Sequence, residues 1–320
     1  MRVVFFGSGA FGLPTLRALA QSHEVIAIVS QPDKPAGRGG RLTPTPVSQW
    51  AMAHAPSVPL LRPENVNEAA IVGELRAYNA DAFVVIAFGQ KMGRDLLEGV
   101  FSINLHASLL PRWRGAAPIN HAILAGDLVT GNSVITLADR MDAGLVLGKS
   151  EREITPGLTA GELHDLLSDD GSGLVLQVLD QHARRALTPR TQDESLVTKA
   201  GKLSRADAKV DVGRSAFVCA RRINGLSPWP GVTVSIGGIQ VRLLRAREEP
   251  GGAPRAEAGV VTDPREGIVA CGDGRDRFRV MDVQPSGGRA MPWADFARGR
   301  LALSIARNET VALTPADETP

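Results

Sequence analysis

Met1-Arg2-Val3-Val4-Phe5-Phe6-Gly7-Ser8-Gly9-Ala10-Phe11-Gly12 decides the fold: an apolar run enters a glycine turn, and the turn opens into the helical pattern Leu13–Ala20. A strand that is apolar throughout needs cover on both faces, as parallel strands have in an α/β sheet. The alternation recurs along the chain. Strands are expected at Val25–Val29, Ala82–Phe88 and Val100–Leu105, with helices at Val47–His54, Glu68–Asn79 and Pro118–Ala125. Beyond Gly131, Ser133–Leu137 and Leu145–Glu153 read as later strands, antiparallel to the rest. Leu158–Leu179 reads as a long helix, N-capped by Thr159 with Glu162 completing a capping box.

Gly7–Gly12 also fits G-x-G-x-x-G, the turn that holds a pyrophosphate on a helix start. That fingerprint needs an acid ending the second strand to take the ribose hydroxyls. Here the strand ends Ile28-Val29-Ser30-Gln31-Pro32, and Asp33 lies past a proline. The fingerprint is incomplete, and the alternative is a tight turn whose glycines let the helix pack onto the sheet. The chain enters its first strand at once, which leaves no room for a leader segment.

After residue 203 the pattern changes. Val232–Ile236, Ile239–Leu244, Gly259–Thr262, Ile268–Cys271 and Phe278–Val283 are short strands punctuated by Gly and Pro, which suggests a small five-stranded barrel of a kind that often binds nucleic acids. The expected organisation is a catalytic domain over 1–189, a linker over 190–203, a barrel domain over 204–308 and a frayed tail over 309–320. The net charge of +2 is uneven: residues 1–200 carry 18 cations against 20 anions, and residues 201–310 carry 18 against 12. A basic second module favours a polyanionic partner. No apolar stretch approaches the roughly 20 residues of a membrane span. Cys219 and Cys271 stand in no metal-like spacing and read as reduced thiols of a cytoplasmic protein.

The chemistry is concentrated in Asn104-Leu105-His106-Ala107-Ser108-Leu109-Leu110-Pro111 and in Asp142. Residues i and i+2 of a strand point to one side, so an amide and an imidazole are aimed together beyond the strand end. A basic turn follows, Arg112-Trp113-Arg114. The loop Gln31-Pro32-Asp33-Lys34-Pro35-Ala36-Gly37-Arg38-Gly39-Gly40-Arg41 leaves the carboxyl end of a parallel strand, where open α/β sheets bind ligands. Lys34, Arg38 and Arg41 on a glycine-rich backbone suit a phosphate clamp. Arg221 and Arg222 near Trp229 offer further cations, with Trp229 open between core and surface. The other five histidines have no convergent partner, and no metal-ligand cluster is visible.

Together these segments resemble the methionyl-tRNA formyltransferase family. The resemblance is carried by residues 31–39, by Phe88-Gly89-Gln90, by Asn104 through Pro118, by Met141-Asp142-Ala143-Gly144 and by Pro228-Trp229-Pro230-Gly231. It runs in order from the first strand to about residue 305. It implies a Rossmann-like formyltransferase domain followed by an OB-like domain that contacts tRNA. It also implies 10-formyltetrahydrofolate as donor, the α-amine of methionyl initiator tRNA as acceptor, no metal, and a monomer. By motif match the catalytic trio falls on Asn104, His106 and Asp142. The folate contacts fall on Phe88, Gly89, Gln90, Ser108, Leu109, Leu110 and Pro111, and the tRNA-reading arginine falls on Arg38. The chain departs from the family pattern at Gly7-Ser8-Gly9, at Phe88, at Asn120-His121 and over Ile223–Ser227.

The chemistry agrees with the implication. Formyl transfer needs donors where the carbonyl oxygen turns negative, and a group that relays protons near neutrality. Three other readings compete: a folate-dependent formyltransferase acting on an amino sugar or glycinamide ribonucleotide, a nicotinamide dehydrogenase, and a non-catalytic RNA-binding module. The cationic loop, the missing ribose acid and the Asn–His–Asp constellation weigh against them in turn.

Overall fold

The computed structural model describes residues 1–36, 40–250 and 254–315. In chain order the elements are β1 (Arg2–Gly7), α1 (Leu13–Ser22), β2 (Glu24–Val29), β3 (Lys34–Ala36), β4 (Arg41–Thr43), α2 (Pro46–His54), β5 (Leu60–Leu61), α3 (Ala69–Ala77), β6 (Ala82–Ile86), α4 (Arg94–Leu97), β7 (Phe101–His106), β8 (Arg114–Gly115), α5 (Pro118–Ala125), β9 (Val129–Thr136), β10 (Val146–Glu153) and α6 (Ala160–Ala183). There follow β11 (Lys199–Ala200), α7 (Ala216–Gly225), β12 (Val232–Ile236), β13 (Ile239–Glu249), β14 (Val261–Asp263), β15 (Ile268–Cys271), β16 (Asp276–Pro285), β17 (Met291–Pro292), α8 (Trp293–Arg300), α9 (Ala302–Ala306) and β18 (Leu313–Pro315). They group into two compact units. One comprises Met1–Arg114, Gly131–Arg152 and His164–Lys199; the other comprises Gly115–Thr130, Glu153–Leu163 and Ala200–Pro320.

The first unit is a Rossmann-like sheet in the order β10-β9-β7-β6-β1-β2-β5. β1 pairs in parallel with β2 and β6, β6 with β7, and β2 with β5, whereas β9 runs antiparallel to β7. β6 is buried at every residue, as its unbroken apolar run requires. Phe6 meets Phe83 and Phe88 edge-on, with ring centroids 5.1 and 5.6 Å away. The chain lays β2 and β5 on one side of β1, then returns to lay β6 and β7 on the other. The carboxyl ends of β1 and β6 therefore flank a topological switch point. Gly7 is a packing glycine: a Cβ there would lie 2.6 Å from the Phe5 ring and 2.9 Å from the Ile86 carbonyl oxygen. That is the tight-turn alternative expected for the glycine motif.

Helix ends follow from their residues. Thr45 accepts the Ser48 amide at 3.1 Å to cap α2, and Pro46 occupies its first turn. Thr159 and Glu162 form the expected reciprocal box at the start of α6, with bonds of 3.3 and 3.0 Å.

The second unit is an antiparallel OB-like sheet in the order β14-β15-β16-β13-β12-β18, with β17 added on β16. β12 alternates buried and half-buried residues, the pattern of a sheet with one wet face. The long pair β13–β16 carries register shifts at Leu243–Arg245 and Arg245–Ala246, which bend a ladder and increase its twist. Inside lie Val234, Leu243, Phe278, Val280, Trp293 and Phe296 together with both cysteines. The unusual Ile223–Ser227 stretch serves this core. The Asn224 amide is buried, donates to the Ala246 carbonyl and accepts the Ala246 N–H, each at 2.8 Å, as a strand neighbour would. Asn120, another departure, donates to the Gly225 carbonyl at 2.7 Å.

Two expectations need correction. Residues 309–315 are not frayed: β18 pairs with β12, Val260 bridges Ala312, and the Leu313 amide donates to the Gly259 carbonyl at 2.7 Å. This segment joins both edges of the sheet and so closes the barrel, because alternate residues Val311 and Leu313 bury themselves. Residues 316–320 lie outside the described residues. The expected linker 190–203 instead belongs to the first unit as far as Lys199. Gln192 is buried, and residues 192–198 hydrogen-bond into the first unit.

Candidate active site

β7 delivers the amide and the imidazole. Asn104 pairs with Val85, one residue before β6 ends at Ile86, so His106 stands past the end of its parallel neighbour. On its other side His106 pairs with Ser133 of β9. Backbone pairing thus holds both residues at the carboxyl edge of the sheet, beside the switch point, with side chains on one face.

His106 Nδ1 lies 3.6 Å from Asp142 Oδ2, and the two side chains are only 7% and 12% exposed. The Nε2 nitrogen is 2.9 Å from the Trp113 carbonyl oxygen. A carbonyl only accepts, so Nε2 carries a hydrogen and Nδ1 is the nitrogen turned toward the carboxylate. Asp142 has φ +55°, the left-handed region that Asp tolerates better than most residues. Gly144 makes this turn possible: a Cβ there would fall 1.7 Å from the Thr136 carbonyl oxygen.

The Ser108–Pro111 loop is held from beneath. The Ser108 hydroxyl is fully buried and donates to the Arg112 carbonyl at 2.6 Å, and Ser133 Oγ donates to the Ser108 carbonyl at 2.7 Å. Leu110 packs on Ile135 and Val146, and its carbonyl accepts Lys149 Nζ at 2.5 Å. Leu109 and Pro111 remain half-buried. Phe88 is buried in the core. Gln90 spends its amide on the 63–66 segment, accepting the Val66 N–H at 2.7 Å and donating to the Pro63 carbonyl at 2.9 Å. Among Phe88, Gly89 and Gln90, therefore, only exposed Gly89 presents itself outward, as bare backbone. Near it Gln31 Nε2 is buried without a hydrogen-bond partner, 3.7 Å from where a Gly89 Cβ would stand.

The cations divide by location. Lys34 and Arg41 are exposed on the hairpin β3–β4, whose base is tied by a 2.8 Å ion pair between Asp33 and Arg62. Arg38 lies outside the described residues. In the second unit, the expectation that Arg221 and Arg222 are available to nucleic acid meets a different arrangement. Arg221 lies 3.5 Å over the Phe217 ring, and burial pushes its guanidinium below its ordinary range. Arg222 donates to the carbonyls of Lys209 and Asp207, the latter at 2.7 Å. Both side chains are half-buried, since α7 packs on its own unit. Trp229 is exposed by 54%, which settles its place on the surface.

Sequence reasoning missed a group of polar side chains around the pair. Arg114 is buried and donates to Gln192 Oε1 through Nε and Nη2 at 3.0 and 2.8 Å. Gln192 Nε2 in turn donates to the carbonyls of Asp142 and Gly144, both at 2.8 Å. Arg114 and Arg140 converge on Glu194 at 2.9 and 3.0 Å. The Arg114 hydrogen bond holds the Glu194 carboxyl below its ordinary range, against the opposing effect of burial and with help from Arg140. A depressed carboxyl stabilises the fold above its unfolded pKa, and that contribution disappears as pH falls through the folded value. The only sequence signal was the placement of Arg114 within the motif. Among the described residues, no cluster of three or more His, Cys, Asp or Glu could hold a metal ion.

The formyl transferase family model matches residues 1–179, and the formyl transferase C-terminal domain model matches residues 202–301. Methionyl-tRNA formyltransferase of Paracoccus denitrificans is 40% identical over 302 residues, covering 93% of this chain and 97% of that protein. The Thermus thermophilus enzyme of the same name is 41% identical over 303 residues, covering 93% and 96%. Two solved structures share the fold at low identity. WlaRD, a sugar 3N-formyl transferase determined in the presence of dTDP and 5-N-formyl-THF, has a TM-score of 0.65 at 12% identity, covering 88% of this chain and 97% of that one. HypX from Aquifex aeolicus, in complex with tetrahydrofolic acid, has a TM-score of 0.62 at 16% identity, covering 92% and 46%.

Proposed function

The chain belongs to the methionyl-tRNA formyltransferase family, and from that premise we propose that Asn104, His106 and Asp142 carry a formyl group from 10-formyltetrahydrofolate to the α-amine of methionine esterified to initiator tRNA. The observation that carries this reading is the approach of Asp142 to His106 Nδ1 at the carboxyl edge of the sheet, with Asn104 on the same strand face. In this transfer a C–N bond forms to the methionine nitrogen and the C–N bond to the folate breaks. One proton leaves the amine and one reaches the folate nitrogen. Asn104 donates to the carbonyl oxygen as it becomes negative, an interaction worth about 10²–10³ in rate. The His106–Asp142 pair takes and returns the proton at Nδ1, while Nε2–H stays on the Trp113 carbonyl.

The donor fits residues present at that edge. Gly89 offers backbone without a side chain, Gln31 Nε2 is a buried donor lacking an acceptor, and Leu109 and Pro111 make an apolar rim. A pterin, flat and bordered by hydrogen-bonding groups, suits such a wall. Ser108 and Gln90 support the wall from within. The reading assigns catalysis to the first unit, extending the expected 1–189 domain through residues 192–198, and puts tRNA along the 31–41 loop and the basic 204–308 domain, in a cytoplasmic monomer.

The test is direct. Purified protein with 10-formyltetrahydrofolate and methionyl initiator tRNA should yield formylmethionine on the tRNA; formylation of a sugar amine instead would replace the acceptor. Arg38→Ala should lower kcat/KM for the tRNA by about 10- to 100-fold and leave the folate KM unchanged. Unaltered tRNA kinetics would remove Arg38 from recognition.

A further inference from the structure

Asp142 has a difficult position to hold. It occupies a left-handed turn with φ +55°, four residues before β10 begins, between exposed Met141 and a glycine pressed on Thr136. A carboxylate that must meet His106 Nδ1 needs this backbone fixed, because a displacement of about 1 Å at a reacting group can cost about 10²-fold in rate. Two of the turn's carbonyls, those of Asp142 and Gly144, accept from one amide nitrogen. The other end of that amide accepts two N–H groups from Arg114. Both the nitrogen and the oxygen of the amide are thereby oriented, and no freedom remains for it to flip.

The same network reaches His106. Trp113, the neighbour of Arg114, supplies the carbonyl that accepts Nε2–H. Trp113 and Arg114 are themselves anchored on Thr198, whose Oγ1 accepts the Trp113 N–H at 2.8 Å and whose carbonyl accepts the Arg114 N–H at 2.9 Å. Arg140, two residues before Asp142, is drawn to Glu194. The segment 192–198 thus grips the carboxylate's turn through Gln192 and Glu194, and the imidazole's support through Thr198. All of these residues belong to the first unit.

We propose that Gln192, oriented by Arg114, is a positioning residue for formyl transfer that sets the approach of Asp142 to His106. This rests on the reading of Asp142 and His106 as reacting groups. Its chemistry predicts that two unlike substitutions both loosen the turn. Gln192→Leu removes the amide at similar size. Gln192→Glu keeps an acceptor for Arg114 but turns a second acceptor toward two carbonyl oxygens, which repels the turn.

Both variants should lose about 10²-fold in kcat while the KM values for folate donor and tRNA stay near wild type. The kcat–pH profile should also change shape, which a loss of stability alone would not produce. In an Asp142→Asn background, followed in single turnovers with enzyme in excess, Gln192→Leu should reduce the rate no further, because its effect passes through Asp142. Melting temperature and circular dichroism are recorded alongside, and Gln192→Glu decides if Gln192→Leu does not fold. Wild-type kcat in either folded variant, or an undiminished additional loss in the Asp142→Asn background, would overturn the proposal. A fully active Asp142→Asn enzyme would overturn the underlying assignment of Asp142 first, and is therefore distinguishable from failure of the clasp alone.

Discussion

His106→Ala is expected to lower kcat for formyl transfer by about 10³-fold or more, because it removes a proton relay worth about 10²–10⁴. Affinity for the folate donor should remain nearly intact. The ring is almost fully buried and faces the Trp113 carbonyl and the Asp142 carboxylate, not the Gly89 wall proposed for the pterin. Removing it leaves a buried space and takes the Nε2–H donor from the Trp113 carbonyl, so some loss of stability accompanies the loss of rate. His106→Gln separates the two: its longer side chain can carry an amide N–H to the Trp113 carbonyl, where Nε2 now donates, but cannot relay a proton near neutrality. Single-turnover formylation at saturating tRNA, with folate binding measured by titration, gives the answer. A turnover near wild type in His106→Gln would remove the imidazole from the chemistry.

Much of the architecture was legible because it depends on local signals. β6 and β7 announced themselves as apolar runs, Thr159 and Glu162 as a box, and Asn104 and His106 as an i, i+2 pair on a strand. These are patterns of two to six residues whose physics is short-range. The clasp was not legible, since Arg114, Gln192 and Asp142 are brought together across 78 and 50 residues of chain. Gln192 also sits in a stretch of Thr, Pro, Gln and Ser whose composition reads as a connection. The closing strand failed for a related reason. Val311-Ala312-Leu313 is too short to show a period, and its pairing partners are fixed only by the barrel. Arg221 and Arg222 show the same limit: charge density is legible, but whether a guanidinium meets an aromatic ring, a backbone carbonyl or water depends on packing.

The sharpest test concerns how the acid and the imidazole share their work. Asp142→Asn should reduce kcat by about 10³-fold although its amide can occupy the same space. The turn is held by the backbone carbonyls of residues 142 and 144, which the substitution keeps, so the loss would belong to the charge and not to the fold. Asparagine presents no carboxylate to His106 Nδ1 and cannot accept a proton from the amine. If the two groups act as one unit, Asp142→Asn combined with His106→Ala should cost little more than the worse single substitution. If each instead contributes its own step, the losses should multiply toward about 10⁶. A double variant that loses the product of the two single effects would separate Asp142 from the imidazole. The carboxylate would then be acting on the amine directly, and not through the imidazole nitrogen 3.6 Å away.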